Sequence, residues 1–182
     1  MFKKFQTFLK NFADDAKGTV AVEAAIILPL LMWSYMAMYI FFDAYQTRSS
    51  TEKAAFTISD ILSRETAAID TTYLANMRSL FDMLSESDSA TGLRVSVISW
   101  SVVSDDYELE WSHTQGTFAS LSADALNSLS ERLPTMADGE TLILVETYST
   151  YEPALNVGLG DQQVSTFIFT RPRFAPQLVW SS

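Results

Sequence analysis

Hydrophobic positions divide the chain into one uninterrupted apolar run near its start and a longer part with short-period patterns. Residues 24–42 are nineteen consecutive positions without a charged side chain. As a helix, residues 19–42 would be about 36 Å long, which is enough to cross a hydrocarbon layer of about 30 Å. The run therefore predicts a transmembrane helix over residues 19–42.

Beyond the run, apolar positions first recur at helical spacing. The first group is Ala54, Ala55, Ile58, Ile61 and Leu62, and the second is Tyr73, Leu74, Met77, Leu80, Phe81 and Leu84. The first group predicts that the transmembrane helix continues as a helical stalk to about Arg64. The second predicts a separate amphipathic helix, which ends at the polar stretch 85–92.

The period then changes to two, which is typical of strands. Residues 93–103 and 107–111 are predicted to form a hairpin, with Tyr107, Leu109 and Trp111 on one face. A third helix is predicted at about residues 122–133, before Pro134. Two further strands are predicted, 141–151 and 164–171. This order predicts an α+β fold in which an antiparallel sheet packs on one long helix.

The distribution of charge predicts the orientation of the chain in a membrane. Four lysines precede the apolar run, Lys3, Lys4, Lys10 and Lys17, whereas residues 43–182 contain 8 basic and 19 acidic residues, a net charge of −11. By the positive-inside rule, residues 1–18 form a basic cytoplasmic leader or head. Residues 43–182 are then the periplasmic domain of a single-pass bacterial inner-membrane protein. Such an acidic domain would repel nucleic acid, so no nucleic-acid partner is expected.

Two questions about the N-terminal part stay open at this stage. A cleaved secretory signal also has basic residues before an apolar run, but this run exceeds the usual 7–15 residues and no small-x-small site follows it, which favours a retained helix. In the head, Phe2, Phe5, Leu9, Phe12 and Ala16 recur at helical spacing. They fit either an amphipathic segment on the inner leaflet or a plain basic flank.

Glu23 and Pro29 are the two unusual residues of the predicted span. A carboxylate at the centre of a bilayer costs about 2.5–3.5 kcal/mol, so Glu23 is either an interfacial acid that reaches the headgroups or a group with a partner in the membrane. Pro29 removes one backbone donor, which predicts a bend or a locally opened helix.

The residues offer little for catalysis or metal binding. The chain has no cysteine and a single histidine, His113, which is predicted to lie exposed in a loop next to a strand end. No nucleophile elbow, phosphate loop or zinc motif is present. The acidic pairs Asp105/Asp106 and Glu108/Glu110 fit a solvated turn and strand face better than a carboxylate dyad or a calcium site. We therefore expect no enzymatic activity, cofactor, metal or small-molecule substrate.

The run from Lys17 to Leu31, KGTVAVEAAIILPLL, resembles the N-terminal signature of the TadE/TadG-like family of tight-adherence (Flp) pilus systems. That signature is a basic head, Gly-[Ser/Thr]-x-Ala-[Val/Leu]-Glu and an apolar helix with Leu-Pro-Leu-Leu. The resemblance covers about fifteen residues, with a fainter one in the proline-punctuated basic segment 171–176. The aromatic end, residues 174–180, is a candidate partner surface if it is exposed.

The resemblance implies a pilin-like fold and a minor pilin-like (pseudopilin) subunit or assembly factor of a pilus. Its partners would be the inner membrane, pilin subunits, platform proteins and a prepilin peptidase. That peptidase would cut between Gly18 and Thr19, with Glu23 as the fifth residue of the mature chain. Ala24 departs from the tyrosine of the major pilins and larger relatives keep their N-termini, so cleaved and uncleaved forms both stay open.

Intersubunit helix packing through Glu23 and Pro29 is the site that the resemblance implies. The alternative from a different class is a generic membrane-anchored periplasmic module that binds a partner unrelated to pili. A passive anchor has no need of Gly18, Glu23 and Pro29 at these spacings, so these residues distinguish the two functions.

Overall fold

The structure, a computed structural model, describes residues 16–87, 89–116 and 118–181, with side chains described from residue 20 onward. The predictions for residues 1–15, including the amphipathic segment of the basic head, lie outside the described residues. The chain divides into two compact units. The first holds the chain up to Asp43 together with Ala154–Gly158, and the second holds Ala44–Pro153 and Leu159–Ser182.

The first element is a helix of 49 residues, α1, from Ala16 to Arg64. It contains the whole predicted span, and the prediction that this helix continues to about Arg64 is confirmed. Pro29 lies inside α1, and the helix is unbroken there. In the part of the chain that the structure describes, α1 is long and apolar enough to cross a membrane.

The second helix, α2, extends from Thr71 to Ser85 and confirms the second amphipathic pattern. The carboxylate of Asp70 caps its start by accepting a hydrogen bond from the Tyr73 backbone N–H at 2.7 Å. Such a cap satisfies one of the amide groups that the first turn leaves without a partner. Glu86 ends the helix in the left-handed region, with φ of 51°.

The four strands form one antiparallel sheet in the order β2-β1-β3-β4. Their bounds are Gly92–Ser101 for β1, Asp106–Gly116 for β2, Thr141–Tyr151 for β3 and Gln162–Thr170 for β4. The predicted α+β class and the antiparallel sheet are therefore confirmed. The strand β2 is longer than predicted, because its polar second half also pairs with β1.

The prediction that the sheet packs on the long helix is confirmed for one face, and a second cluster covers the other face. The first face packs on α1, α2 and the C-terminal segment through Ala54, Ala55, Ile58, Leu62, Ile69, Leu74, Phe81, Leu93, Val95, Val97, Ile143, Val145, Ile168 and Leu178. The second face has its own cluster, formed by Ile98, Leu121, Leu126, Met136, Leu142 and Leu144. The central strands β1 and β3 are buried on both sides, so their apolar residues serve two clusters.

The predicted third helix, residues 122–133, is wrong in extent. The structure has a short helix α3, Ala123–Asn127, and a separate 3₁₀ turn, Ser130–Arg132. The Ser128 hydroxyl donates to the Ala125 carbonyl at 2.6 Å, and the Ser130 hydroxyl donates to the Asn127 carbonyl at 2.9 Å. These serines compete for the backbone acceptors that a longer α-helix needs.

The face predicted for β2 is also wrong at one residue. Val97 lies opposite Trp111 and Ile98 lies opposite Leu109, so Glu110 has no opposite residue and forms a β-bulge. A bulge shifts the alternation of side chains by one position. Leu109 and Tyr107 therefore pack on the second cluster, whereas Trp111 packs on the first.

Candidate functional site

One side of α1 combines the acidic residue of the apolar segment with a shallow groove. The groove has a volume of about 320 Å³ and is lined by Val20, Glu23, Ala24, Ile27, Leu28 and Leu31. These positions are three or four residues apart, so they lie above one another on one side of a helix. The small side chain of Ala24 next to Glu23 leaves room for a neighbouring chain to approach the carboxylate closely.

Glu23 is exposed on the surface of α1. Among the residues with described side chains, none forms a hydrogen bond or an ion pair with its carboxylate. The carboxylate is therefore exposed and has no partner among these side chains.

The structure places Gly18 and Thr19 inside α1, on the N-terminal side of Glu23. Glu23 is five positions after Gly18, which is about 7.5 Å along the helix axis. Cleavage of the bond between Gly18 and Thr19 stays a prediction.

Pro29 and Glu23 lie on different sides of the helix. They are six residues apart, which is a rotation of about 120° around the axis at 3.6 residues per turn. Pro29 accordingly does not line the groove. The two predicted packing residues are therefore not brought together, and each would face a different neighbour.

The acidic pairs of the hairpin serve separate local bonds. Asp106 accepts from the Tyr107 backbone N–H at 2.7 Å, Glu108 accepts from Ser104 Oγ at 3.0 Å, and Glu110 accepts from Ser99 Oγ at 2.7 Å. Within the described residues there is no group of three histidine, cysteine or acidic side chains that could hold a metal ion.

His113 was predicted in an exposed loop, and this is wrong. It lies within β2 opposite Val95, and its imidazole stacks on the indole of Trp180, with ring centroids 3.5 Å apart. Burial lowers the pKa of His113 from its ordinary value of 6.5, because a half-buried imidazole is less well solvated when it is charged. The sequence could not indicate this contact, since the two residues are far apart in the chain.

Sequence reasoning missed an ion pair between neighbouring strands. Arg94 in β1 lies opposite Glu146 in β3, and its guanidinium donates two hydrogen bonds to the carboxylate, at 2.6 and 2.7 Å. The side chains are only 15% and 12% exposed. Arg94 also donates to the Ala119 carbonyl at 3.0 Å and lies over the Phe118 ring. The pair therefore fixes the segment after β2 to the sheet, and both charges are used internally.

A second groove, of about 510 Å³, lies beside the edge strand β4. Its lining residues are Pro134, Leu142, Phe169, Thr170, Arg171 and Arg173. Arg171 pairs with Glu140 at 2.6 Å, and Arg173 pairs with Asp60 at 3.3 Å. Both arginines thus already have an acidic neighbour within the domain.

The aromatic end of the chain is only partly available as a partner surface. Phe174 is exposed, but Leu178 is buried and Trp180 packs against the first cluster.

Comparisons of the chain with protein-family models, with curated proteins and with solved structures found no match.

Proposed function

We propose that this chain is a minor pilin-like subunit, a pseudopilin, or an assembly factor of a tight-adherence (Flp, type IVb-like) pilus and its secretion machinery. In this proposal α1 anchors it in the bacterial inner membrane, with the N-terminus in the cytoplasm and the acidic domain in the periplasm. The observation that carries the proposal is Glu23, exposed in a groove on one side of a membrane-length apolar helix.

The exposure of α1 supports an environment of lipid and other helices. Apolar side chains such as Ile26, Leu30 and Met38 point outward around the helix and are largely exposed. Removing apolar surface from water is worth about 25 cal/mol per Å², so a helix of this kind is stable only when something apolar covers it. A membrane covers it all round, and neighbouring pilin helices would cover one side.

Glu23 supports packing against a partner rather than simple anchoring. An anchor gains nothing from a carboxylate in its apolar segment, since insertion of an acid costs free energy. A partner that supplies a positive charge would offset part of this cost and would fix the register of two helices. If the chain is cut after Gly18, the new amine of Thr19 in a neighbouring copy is such a charge.

The bonding of the charged groups in residues 43–182 supports a structural role for this domain. Its partly buried charged pair, Arg94 and Glu146, is saturated by internal hydrogen bonds, and the acids of the hairpin bond to nearby serines and backbone. Such groups stabilise a fold and leave few free for chemistry. We propose that the domain caps, primes or anchors a filament and has no enzymatic activity.

N-terminal sequencing tests the processing step. The protein would be extracted from membranes of cells with and without an active prepilin peptidase. A pseudopilin would start at Thr19 only in cells with the peptidase, and a Gly18→Leu variant would keep Met1 in both. An intact Met1 in the wild-type protein from both strains would exclude cleavage and leave an uncleaved assembly factor as the proposed function.

Substitution of Glu23 tests the packing role. Glu23→Gln retains the size of the side chain and removes its charge, so we expect normal membrane insertion and reduced surface piliation. Glu52→Gln is the matched control, because Glu52 is an exposed acid on the same helix beyond the apolar segment. Wild-type piliation in the Glu23→Gln variant would contradict the packing role and favour the generic anchored module.

A further inference from the structure

The loop between β3 and β4 is apolar where an acidic domain would be expected to carry charge. Residues 153–160 have the sequence PALNVGLG, with no charged side chain between Glu152 and Asp161. Leu155 is 44% exposed. The one polar side chain, Asn156, bonds to the loop itself, since its Oδ1 accepts from the Gly158 backbone N–H at 3.1 Å. The loop therefore presents apolar surface with little polar competition.

This loop belongs to the same compact unit as the apolar part of α1. The unit combines the chain up to Asp43 with Ala154–Gly158. Within it Ile40 is completely buried, whereas its neighbours Tyr39 and Phe41 remain exposed. One side of the helix is thus covered at this level.

The level of Ile40 is the outer boundary of the apolar segment. Asp43 is the first charged residue after the run, three residues beyond Ile40 and about 4.5 Å further along the axis. If α1 spans the membrane as proposed, Ile40 lies at the transition from acyl chains to headgroups. The β3–β4 loop belongs to the same unit as this part of the helix.

We propose that the β3–β4 loop is a second membrane contact, with Leu155 inserted into the surface of the outer leaflet beside α1. The occupant of its apolar surface is lipid, because the loop shares one compact unit with the apolar part of α1, which lipid covers in the proposed function. The absence of charge on the loop permits this approach, since acidic side chains would be repelled by anionic headgroups. The inference rests on the membrane-span part of the proposed function and is independent of its pilus part.

Single-cysteine labelling tests the contact, because the chain has no native cysteine. The full-length protein would carry Leu155→Cys, be labelled with an environment-sensitive nitrobenzoxadiazole dye and be reconstituted in phosphatidylcholine and phosphatidylglycerol vesicles. We expect a blue-shifted emission and quenching by lipids with a nitroxide near the headgroup. The dye should lie roughly 5–10 Å into the headgroup and acyl boundary. Ala154→Cys provides a second label position in the same loop.

Two control positions separate failure of the loop contact from failure of the span. Val103→Cys is the solvent control, because Val103 is an apolar residue at a turn and is 98% exposed. Tyr35→Cys reports the span, and its dye should be quenched most by nitroxides deep in the acyl chains.

Each pattern of quenching has a defined meaning. A Leu155 dye that behaves like the Val103 dye, while the Tyr35 dye is quenched, overturns the loop contact and leaves the span intact. A blue-shifted Leu155 dye without lipid quenching indicates burial against protein and also overturns it. An unquenched Tyr35 dye removes the span and the loop contact together. A quenched Leu155 dye combined with normal piliation of Glu23→Gln would retain the loop contact and contradict the packing role of Glu23.

Discussion

The imidazole of His113 lies almost parallel to the indole of Trp180, with 12° between the ring planes and 3.5 Å between the ring centroids. Trp180 belongs to the C-terminal segment, which pairs with the residues before α2. The Ile69 backbone N–H donates to the Val179 carbonyl at 2.9 Å, and the Ser181 N–H donates to the Ile69 carbonyl at 2.8 Å. The stacked rings thus join the end of the chain to the face of the sheet.

This stacking predicts the titration of His113. Because burial disfavours the charged imidazole, its pKa should lie below the ordinary 6.5, and Trp180→Ala should raise the pKa toward 6.5 by exposing the ring. His113 is the only histidine in the chain, so a proton NMR titration reports it without assignment. An unchanged pKa in Trp180→Ala would show that Trp180 does not shield the imidazole.

The same shift predicts how stability depends on pH. His113 binds a proton more readily in the unfolded chain than in the folded chain. The contribution of neutral His113 to the free energy of unfolding is therefore complete above pH 6.5. It should be lost progressively as the pH falls below 6.5 toward the lower pKa of the folded state. His113→Phe should remove this component of the acid dependence, which urea unfolding at several pH values in detergent would measure.

The ion pair between Arg94 and Glu146 should contribute strongly to stability. Glu146→Leu leaves a largely buried guanidinium without its bidentate partner, so we expect a loss of about 3 kcal/mol in the free energy of unfolding. The exposed pair Arg48–Glu52 is the matched control, and Glu52→Leu should cost less than about 1 kcal/mol. Equal losses in the free energy of unfolding for Glu146→Leu and Glu52→Leu would mean that burial of an arginine does not raise the cost of removing its acidic partner.

The side chain of Phe81 should be a principal part of the first cluster. It is completely buried, and Phe81→Ala should lower the free energy of unfolding by about 3–5 kcal/mol through lost contacts and an unfilled cavity. Met83 lies on the same helix and is 68% exposed, so Met83→Ala should change the free energy of unfolding by less than about 0.5 kcal/mol. Tryptophan fluorescence during urea unfolding would measure both.

Gly116 should tolerate no side chain at the end of β2. Its φ is +90°, and an added Cβ would collide with the Thr91 carbonyl oxygen. Gly139 also has a positive φ, +69°, but an added Cβ there has open space. Gly139→Ala should therefore cost about 1 kcal/mol from backbone strain alone, and Gly116→Ala about 1–3 kcal/mol more from the collision. Similar costs would indicate that the chain near Thr91 moves aside.

The elements that depend on local pattern were predictable. The apolar run and the helical spacing before Arg64 predict α1, and the spacing from Tyr73 to Leu84 predicts α2. The positions of Glu23 and Pro29 on different sides of the helix also follow from 3.6 residues per turn once the helix is known. The prediction of the third helix was wrong in extent because serine hydroxyls compete for the carbonyl groups that a longer helix needs. The spacing of apolar residues does not indicate such competition.

What the sequence by itself determined is the membrane-length helix, the second helix, the strands and the acidic character of residues 43–182, since each follows from neighbouring residues or composition. Only the tertiary structure decided that Glu110 is the bulge, that Arg94 meets Glu146 and that His113 stacks on Trp180. These relationships depend on strand register and on a C-terminal segment returning to the sheet. Register is fixed by the total packing of both faces, and no local spacing carries that information.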